Sequence, residues 1–164
     1  MWIVIAREYN EDPVMRTMLP ATWLNARRRT MLVFYRNKQA GTIEKLAVAR
    51  YDVGQNITSA WEKEKQPDQW ARLVEIIQER NPQRIGINYS TYFGLADGLV
   101  KTDHEELLQA LPDELESKLV TAEQLARTMA RFPGQLWLGR GFPWEREQAQ
   151  LAHDLLRVGP ARLT

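Results

Sequence analysis

The residues with the greatest chemical potential in this chain are few. His104 lies in Asp103-His104-Glu105-Glu106, and His153 in Leu151-Ala152-His153-Asp154; no other histidine exists. Four consecutive metal-ligating side chains look like a cation site. Successive residues of a helix, however, point in different directions and cannot all face one ion. The acid-rich stretch reads better as the first turn of a helix after Thr102-x-x-Glu105, where carboxylates oppose the helix dipole. His153 has no HExxH partner and reads as an ordinary helix residue. Serine occurs only at 59, 90 and 117, never in Gly-x-Ser-x-Gly, so a nucleophile elbow is excluded. Asn88-Tyr89-Ser90-Thr91 follows a short apolar stretch, where α/β proteins often place a site. The same residue types also build turns and caps. Phosphate cradles of the Gly-x-Gly-x-x-Gly or Walker A kind are absent, and Gly139-Arg140-Gly141 reads as a flexible link. No residue is therefore assigned to catalysis, cofactor binding or metal ligation.

Arg27-Arg28-Arg29, close to Trp23, Phe34 and Tyr35, has the ingredients of an RNA platform. The whole-chain balance argues against it. Lys plus Arg is 22 and Asp plus Glu is 21, a net charge of +1 in 164 residues. Such a chain has no general electrostatic attraction for nucleic acid or anionic membrane. The triplet reads as a solvated turn. There is no cysteine, which rules out disulfides, thiolate metal sites and a thiol nucleophile. No stretch reaches the roughly 20 apolar residues of a membrane span, and the N-terminal apolar run is too short for a signal-peptide core. The expected setting is cytoplasmic.

The elements that must position these residues follow from patterning. Residues 2–6 read as a buried strand, and 8–29 as a loop with at most a short helix. Thr30 to Tyr35 and Ile43 to Ala49 form a hairpin around Asn37-Lys38-Gln39-Ala40-Gly41. Ser59-x-x-Glu62 predicts a short capped helix. Pro67 opens a stronger helix to about Arg80, with Trp70, Leu73, Val74 and Ile77 on one stripe. Arg84 to Asn88 is a strand whose glycine allows close packing. A helix then follows Thr102 and ends at Pro112. Leu115 to Val120 reads as a last strand, and Thr121-x-x-Gln124 caps a helix to about Arg131. Pro143 opens a final helix. The order implies an α/β fold, a mixed β-sheet flanked by helices. A soluble α/β chain with no catalytic constellation fits a domain that serves another.

Several segments taken together resemble the N-terminal domain of the creatinase/prolidase/Xaa-Pro aminopeptidase superfamily, the pita-bread metallopeptidases. They are Trp2-Ile3-Val4-Ile5-Ala6-Arg7-Glu8-Tyr9-Asn10-Glu11-Asp12-Pro13, Ala26-Arg27-Arg28-Arg29-Thr30 into Leu32-Val33-Phe34, and Arg50-Tyr51-Asp52-Val53-Gly54. Asn81-Pro82-Gln83-Arg84-Ile85-Gly86-Ile87-Asn88, Ala96-Asp97-Gly98-Leu99 and Val120-Thr121-Ala122-Glu123 complete the set. The resemblance implies a non-catalytic domain at residues 1–131 that supports assembly and substrate access. It implies a linker and the start of a catalytic domain at 132–164, where Leu138, Pro143 and Glu145 fit the family's linker frame. The family's two divalent metal ions are held by the catalytic domain, so this chain needs no cofactor of its own. The implied partners are that catalytic domain and a second copy of the chain. Family members carry a helix-bearing segment before the first strand, and the catalytic domain would follow Thr164. The chain is therefore expected to be a truncation, a product of frame disturbance or a deliberately isolated domain. The alternative is a free-standing α/β ligand-binding or regulatory module with a pocket near Asn88 to Ser90.

Overall fold

The computed structural model describes residues 1–8, 12–18, 28–54 and 57–130. Six strands form one mixed sheet: β1 (Trp2–Ala6), β2 (Thr30–Asn37), β3 (Thr42–Ala49), β4 (Thr58–Ser59), β5 (Ile85–Ile87) and β6 (Leu119–Thr121). Their spatial order is β4-β3-β2-β1-β5-β6. Only the β1–β2 and β2–β3 pairs are antiparallel, so β2 alone runs against the other five strands. The carboxyl ends of β1, β3, β5 and β6 therefore share one edge. Helices α1 (Pro13–Met18), α2 (Gln69–Arg80), α3 (Lys101–Ala110), α4 (Asp113–Glu116) and α5 (Glu123–Ala130) flank the sheet, with a 3₁₀ turn at Gly94–Ala96. The chain is thus α/β with a mixed, helix-flanked sheet.

Side chains on a strand alternate between faces. Trp2, Val4 and Ala6 face one core with Val14, Met15, Leu32, Phe34, Ala96 and Ala126. Ile3 and Ile5 face the other, with Val33, Leu73, Ile76, Ile77, Ile87 and Leu107. A strand buried on both faces reads as an unbroken apolar run, which is why β1 shows no alternation in its sequence. Gly86 sits on the first face. A Cβ there would lie 3.4 Å from Ala122 Cβ and 3.6 Å from the Trp2 ring, so the glycine admits both neighbours. The hairpin turn closes with Gly41 at a φ of +66°, a conformation that favours glycine.

Helix α2 starts at Gln69, two residues later than Pro67 suggests. Asp68 is its N-cap and accepts from Trp70 N–H and Ala71 N–H. Asn81 ends it in the left-handed region at φ 39°.

Three expectations are corrected. Ser59 does not cap a helix: Thr58 and Ser59 pair with Leu46 and Ala47 as β4, and Lys65 and Gln66 N–H close a turn on Glu62 O. The edge of β3 claims these two residues before a helix can start. Thr102 does not cap α3, which begins at Lys101 after Val100, with no side-chain cap. The Leu115 to Val120 stretch divides into the end of α4 and the start of β6, because Pro112 and three acidic residues favour a helical turn first. The expected helix after Pro143 and the 132–164 linker lie outside the described residues, as do His153 and Gly139-Arg140-Gly141. No helix among the described residues is long and apolar enough to cross a membrane.

Candidate functional site

The carboxyl edge of the sheet carries three polar clusters. The first is buried. Trp2 Nε1–H donates to Asn88 Oδ1 at 2.8 Å, and Asn88 Nδ2–H donates to Asp12 Oδ2 at 2.8 Å. Asp12 Oδ1 accepts from Val14 N–H at 2.8 Å, so the carboxylate caps α1. Asp12 and Asn88 are 0% and 1% exposed. Gly98 packs directly on this carboxylate: a Cβ there would fall 2.4 Å from Asp12 Cγ and 2.5 Å from Oδ2. Burial pushes the Asp12 carboxyl above its ordinary value, against the hydrogen bonds from Asn88, Val14 and Met15.

The polarity of this chain of bonds has one solution. Indole N–H can only donate. It fixes the Asn88 amide with its oxygen toward Trp2 and its nitrogen toward residue 12. Residue 12 must then present an acceptor, and the two N–H groups of α1 demand the same. A carboxylate meets all of these demands at once.

The second cluster is ionic. Arg7, just past β1, binds Asp103 through Nε at 2.8 and 2.9 Å and through Nη2 at 2.6 Å. Arg29, just before β2, reaches Asp103 Oδ1 at 3.2 Å through Nε and Glu106 Oε2 at 2.5 Å through Nη2. Its Nε is buried without hydrogen-bond geometry to any acceptor, and its guanidinium lies 4.8 Å from the Trp70 ring centroid. Trp70 Nε1–H donates to Glu106 Oε2 at 2.8 Å. Burial opposes the Glu106 charge, but Trp70, Arg29 and Arg7 outweigh it and hold the carboxyl below its usual range. The Arg7 guanidinium is held charged, chiefly by its bond to Asp103. Asp103 is 1% exposed and its two arginines only partly so.

The third cluster joins the loop after β5 to α5. Ser90 Oγ–H donates to Glu123 Oε2 at 2.5 Å and accepts from Tyr92 N–H and Phe93 N–H. Arg127 Nε–H donates to Glu123 Oε1 at 2.5 Å, and its guanidinium lies over the Phe93 ring. Ser90 and Arg127 hold the Glu123 carboxyl below the usual range.

These contacts account for most of the residues that the sequence singles out. Asp103 and Glu106 share one helix face and meet arginines, whereas Glu105 turns away to Lys101. No group of three or more His, Cys, Asp or Glu among the described residues is placed to hold a metal ion. Within the arginine triplet, Arg29 turns inward, while Arg28 binds Glu8 at 2.6 Å; Arg27 and Trp23 lie outside the described residues. Asn88 and Ser90 are bonded inward.

Sequence reasoning missed the roles of Arg7, Arg29, Trp70 and Asp12 in these clusters. One local signal existed: Asp103 and Glu106, three apart, lie on one helix face. Tryptophan is not prominent on the described surface. Trp2 is buried and Trp61 and Trp70 pack against a core, whereas the exposed large apolar residues are Tyr51, Tyr89, Tyr92 and Val120. Comparison with protein-family models, with curated proteins and with solved structures finds no match to this chain.

Proposed function

We propose that this chain is a non-catalytic domain of a Xaa-Pro aminopeptidase- or prolidase-type metallopeptidase, supporting assembly and substrate access. One observation carries the reading. The Trp2–Asn88–Asp12 chain, with Gly98 packed on its carboxylate, joins single residues of the segments 2–13, 81–88 and 96–99. These are three of the segments whose order and wording resemble the family. A fourth, 120–123, meets them where Ala122 packs against Gly86.

In this reading the chain holds no metal and attacks no peptide bond. Its partners are the catalytic metallopeptidase domain, which supplies two divalent ions, and a second copy of itself, in the cytoplasm. The polar groups at the carboxyl edge serve as internal ties that keep the domain rigid beside its partner. Val120, 36% exposed on the last strand of the sheet, is part of the surface left for such contacts.

The test is direct. The purified chain, incubated with manganese and a Gly-Pro substrate, should release no product above the buffer rate. Manganese-dependent cleavage that co-purifies with the chain would overturn the non-catalytic assignment.

A further inference from the structure

We infer that Asp97 is a site of spontaneous isomerisation to isoaspartate, guarded by the native geometry of the Asp97–Gly98 peptide and reached by local opening. The inference goes beyond the metallopeptidase reading and does not depend on it.

The chemistry needs only an aspartate and the peptide nitrogen that follows it. The Gly98 nitrogen attacks Asp97 Cγ, an N–Cγ bond forms, a Cγ–O bond breaks, and water leaves with the proton of the nitrogen. The product is a five-membered imide. Water then adds to the former main-chain carbonyl, breaks its bond to the nitrogen and leaves the main chain running through Cγ. The water lost in the first step is returned in the second, and no oxidant, reductant or co-reactant is needed. A glycine after the aspartate favours the attack, because no Cβ screens the nitrogen. Asp97-Gly98 is the one Asp-Gly or Asn-Gly pair in the 164 residues. Asp97 is exposed, at the end of the 3₁₀ turn at Gly94–Ala96.

The native geometry holds the reaction back. Ring closure needs the Gly98 nitrogen and the Asp97 Cβ on the same side of the Cα–C bond. At φ −109° and ψ 53° they stand on opposite sides, so closure needs a large rotation about that bond. Hydrogen bonds on both sides oppose it. Asp97 N–H donates to Gly94 O at 3.1 Å, Ser90 N–H donates to Asp97 Oδ1 at 3.2 Å, and Leu99 N–H donates to Asn88 O at 2.9 Å. Gly98 itself is packed on the Asp12 carboxylate. Conversion therefore follows local opening of residues 94–99. The product does not fit back. Isoaspartate lengthens the main chain by one carbon between Asp97 and Gly98, while the bonds to Gly94 and Asn88 fix the chain on either side. A Cβ on Gly98 would already fall 2.4 Å from Asp12 Cγ, so no added atom is accommodated there. Converted chains lose the cover on the buried Trp2–Asn88–Asp12 chain, and each opening that reacts leaves a permanent mark.

Incubation of the full chain in warm neutral buffer, native and in guanidinium chloride, tests this. Isoaspartate is counted by enzymatic carboxyl methylation and located by peptide mapping. In denaturant it should form mainly at residue 97. In the native chain it should form at the same residue about tenfold more slowly or slower still, since only the open fraction reacts. Asp97→Glu, whose attack has to close a larger ring, should remove the signal in both conditions. Asp12→Asn, which sets amide against amide at the Asn88 contact, should speed native conversion and leave the rate in denaturant unchanged. The converted chain should unfold at a lower denaturant concentration than the unconverted one. Equal rates in the native and denatured chain would overturn the guard, and a lack of isoaspartate at residue 97 in denaturant would overturn the site. Unchanged native conversion in Asp12→Asn, or equal unfolding midpoints for converted and unconverted chains, would overturn the coupling to the buried carboxylate.

Discussion

Asp103→Ala is expected to remove about 2–4 kcal/mol of folding stability, near the lower end of what a broken buried ion pair costs. Two guanidiniums, Arg7 and Arg29, converge on this one carboxylate, which is 1% exposed. Without it both cations lose their shared partner beneath α3. The loss is below the maximum because each arginine keeps a carboxylate oxygen of Glu106 and is itself partly solvated. Asp103→Asn should recover little, since an amide presents a donor to a site that contains two donors. The pair Lys101–Glu105 on the same helix provides the comparison. Its lysine side chain is 88% exposed, and Lys101→Ala should change stability by less than about 0.5 kcal/mol. Urea unfolding followed by circular dichroism measures both. Equal losses for Asp103→Ala and Lys101→Ala would show that the cluster does not tie α3 to β1 and β2.

Gly98→Ala is the second large effect, at about 2–6 kcal/mol. Overpacking alone costs about 1–3 kcal/mol, and a displaced buried acceptor adds about the same. The new methyl carbon would stand 2.4 Å from Asp12 Cγ, and that carboxylate cannot retreat without releasing Asn88 and the start of α1. Asp12→Asn should cost about 1–3 kcal/mol, because its amide would meet the Asn88 amide donor to donor. The pH dependence follows from the raised Asp12 value. Burial, the leading cause, makes the folded state hold this proton to a higher pH than the unfolded state, whose value is 3.8. More protons bound when folded means that stability falls as pH rises. The contribution is fully present below 3.8 and is lost as pH climbs through the folded value. The stability gap between the native chain and Asp12→Asn should therefore be wider near pH 3 than at pH 7. A gap that widens with pH would contradict the burial account of Asp12.

The sequence and the structure agree where local pattern and burial coincide. The Trp2–Ala6 strand is legible as an unbroken apolar run buried on both faces, and the Thr30–Ala49 hairpin and the Trp70–Ile77 stripe are legible because their apolar residues recur at strand and helix spacing. Gly86 is legible for its close neighbour, since a strand glycine has few other reasons. Ser59 misleads because a two-residue strand is decided by the free edge of β3, which no local pattern encodes. Thr102 misleads by two positions, since the N-cap is Val100, the ordinary uncertainty of a helix start. The polar clusters are the least legible part. Trp2 and Asn88 are 86 residues apart, and Asn88 and Asp12 are 76 apart. Each taken alone looks like a core aromatic, a turn residue or a loop acid. Only the sheet order, which lays β5 beside β1, turns them into one unit. Arg29 shows the same effect: within a basic triplet it looks solvated, yet it follows its strand into the ion cluster.

The most direct measurement of the central claim is the coding DNA beyond the codon for Thr164, translated in all three frames. The account predicts a catalytic domain there, with two aspartates, one histidine and two glutamates in the order that holds two divalent metal ions. An open frame or a stop with none of those ligands in any frame would contradict it, and would make the chain a free-standing α/β module.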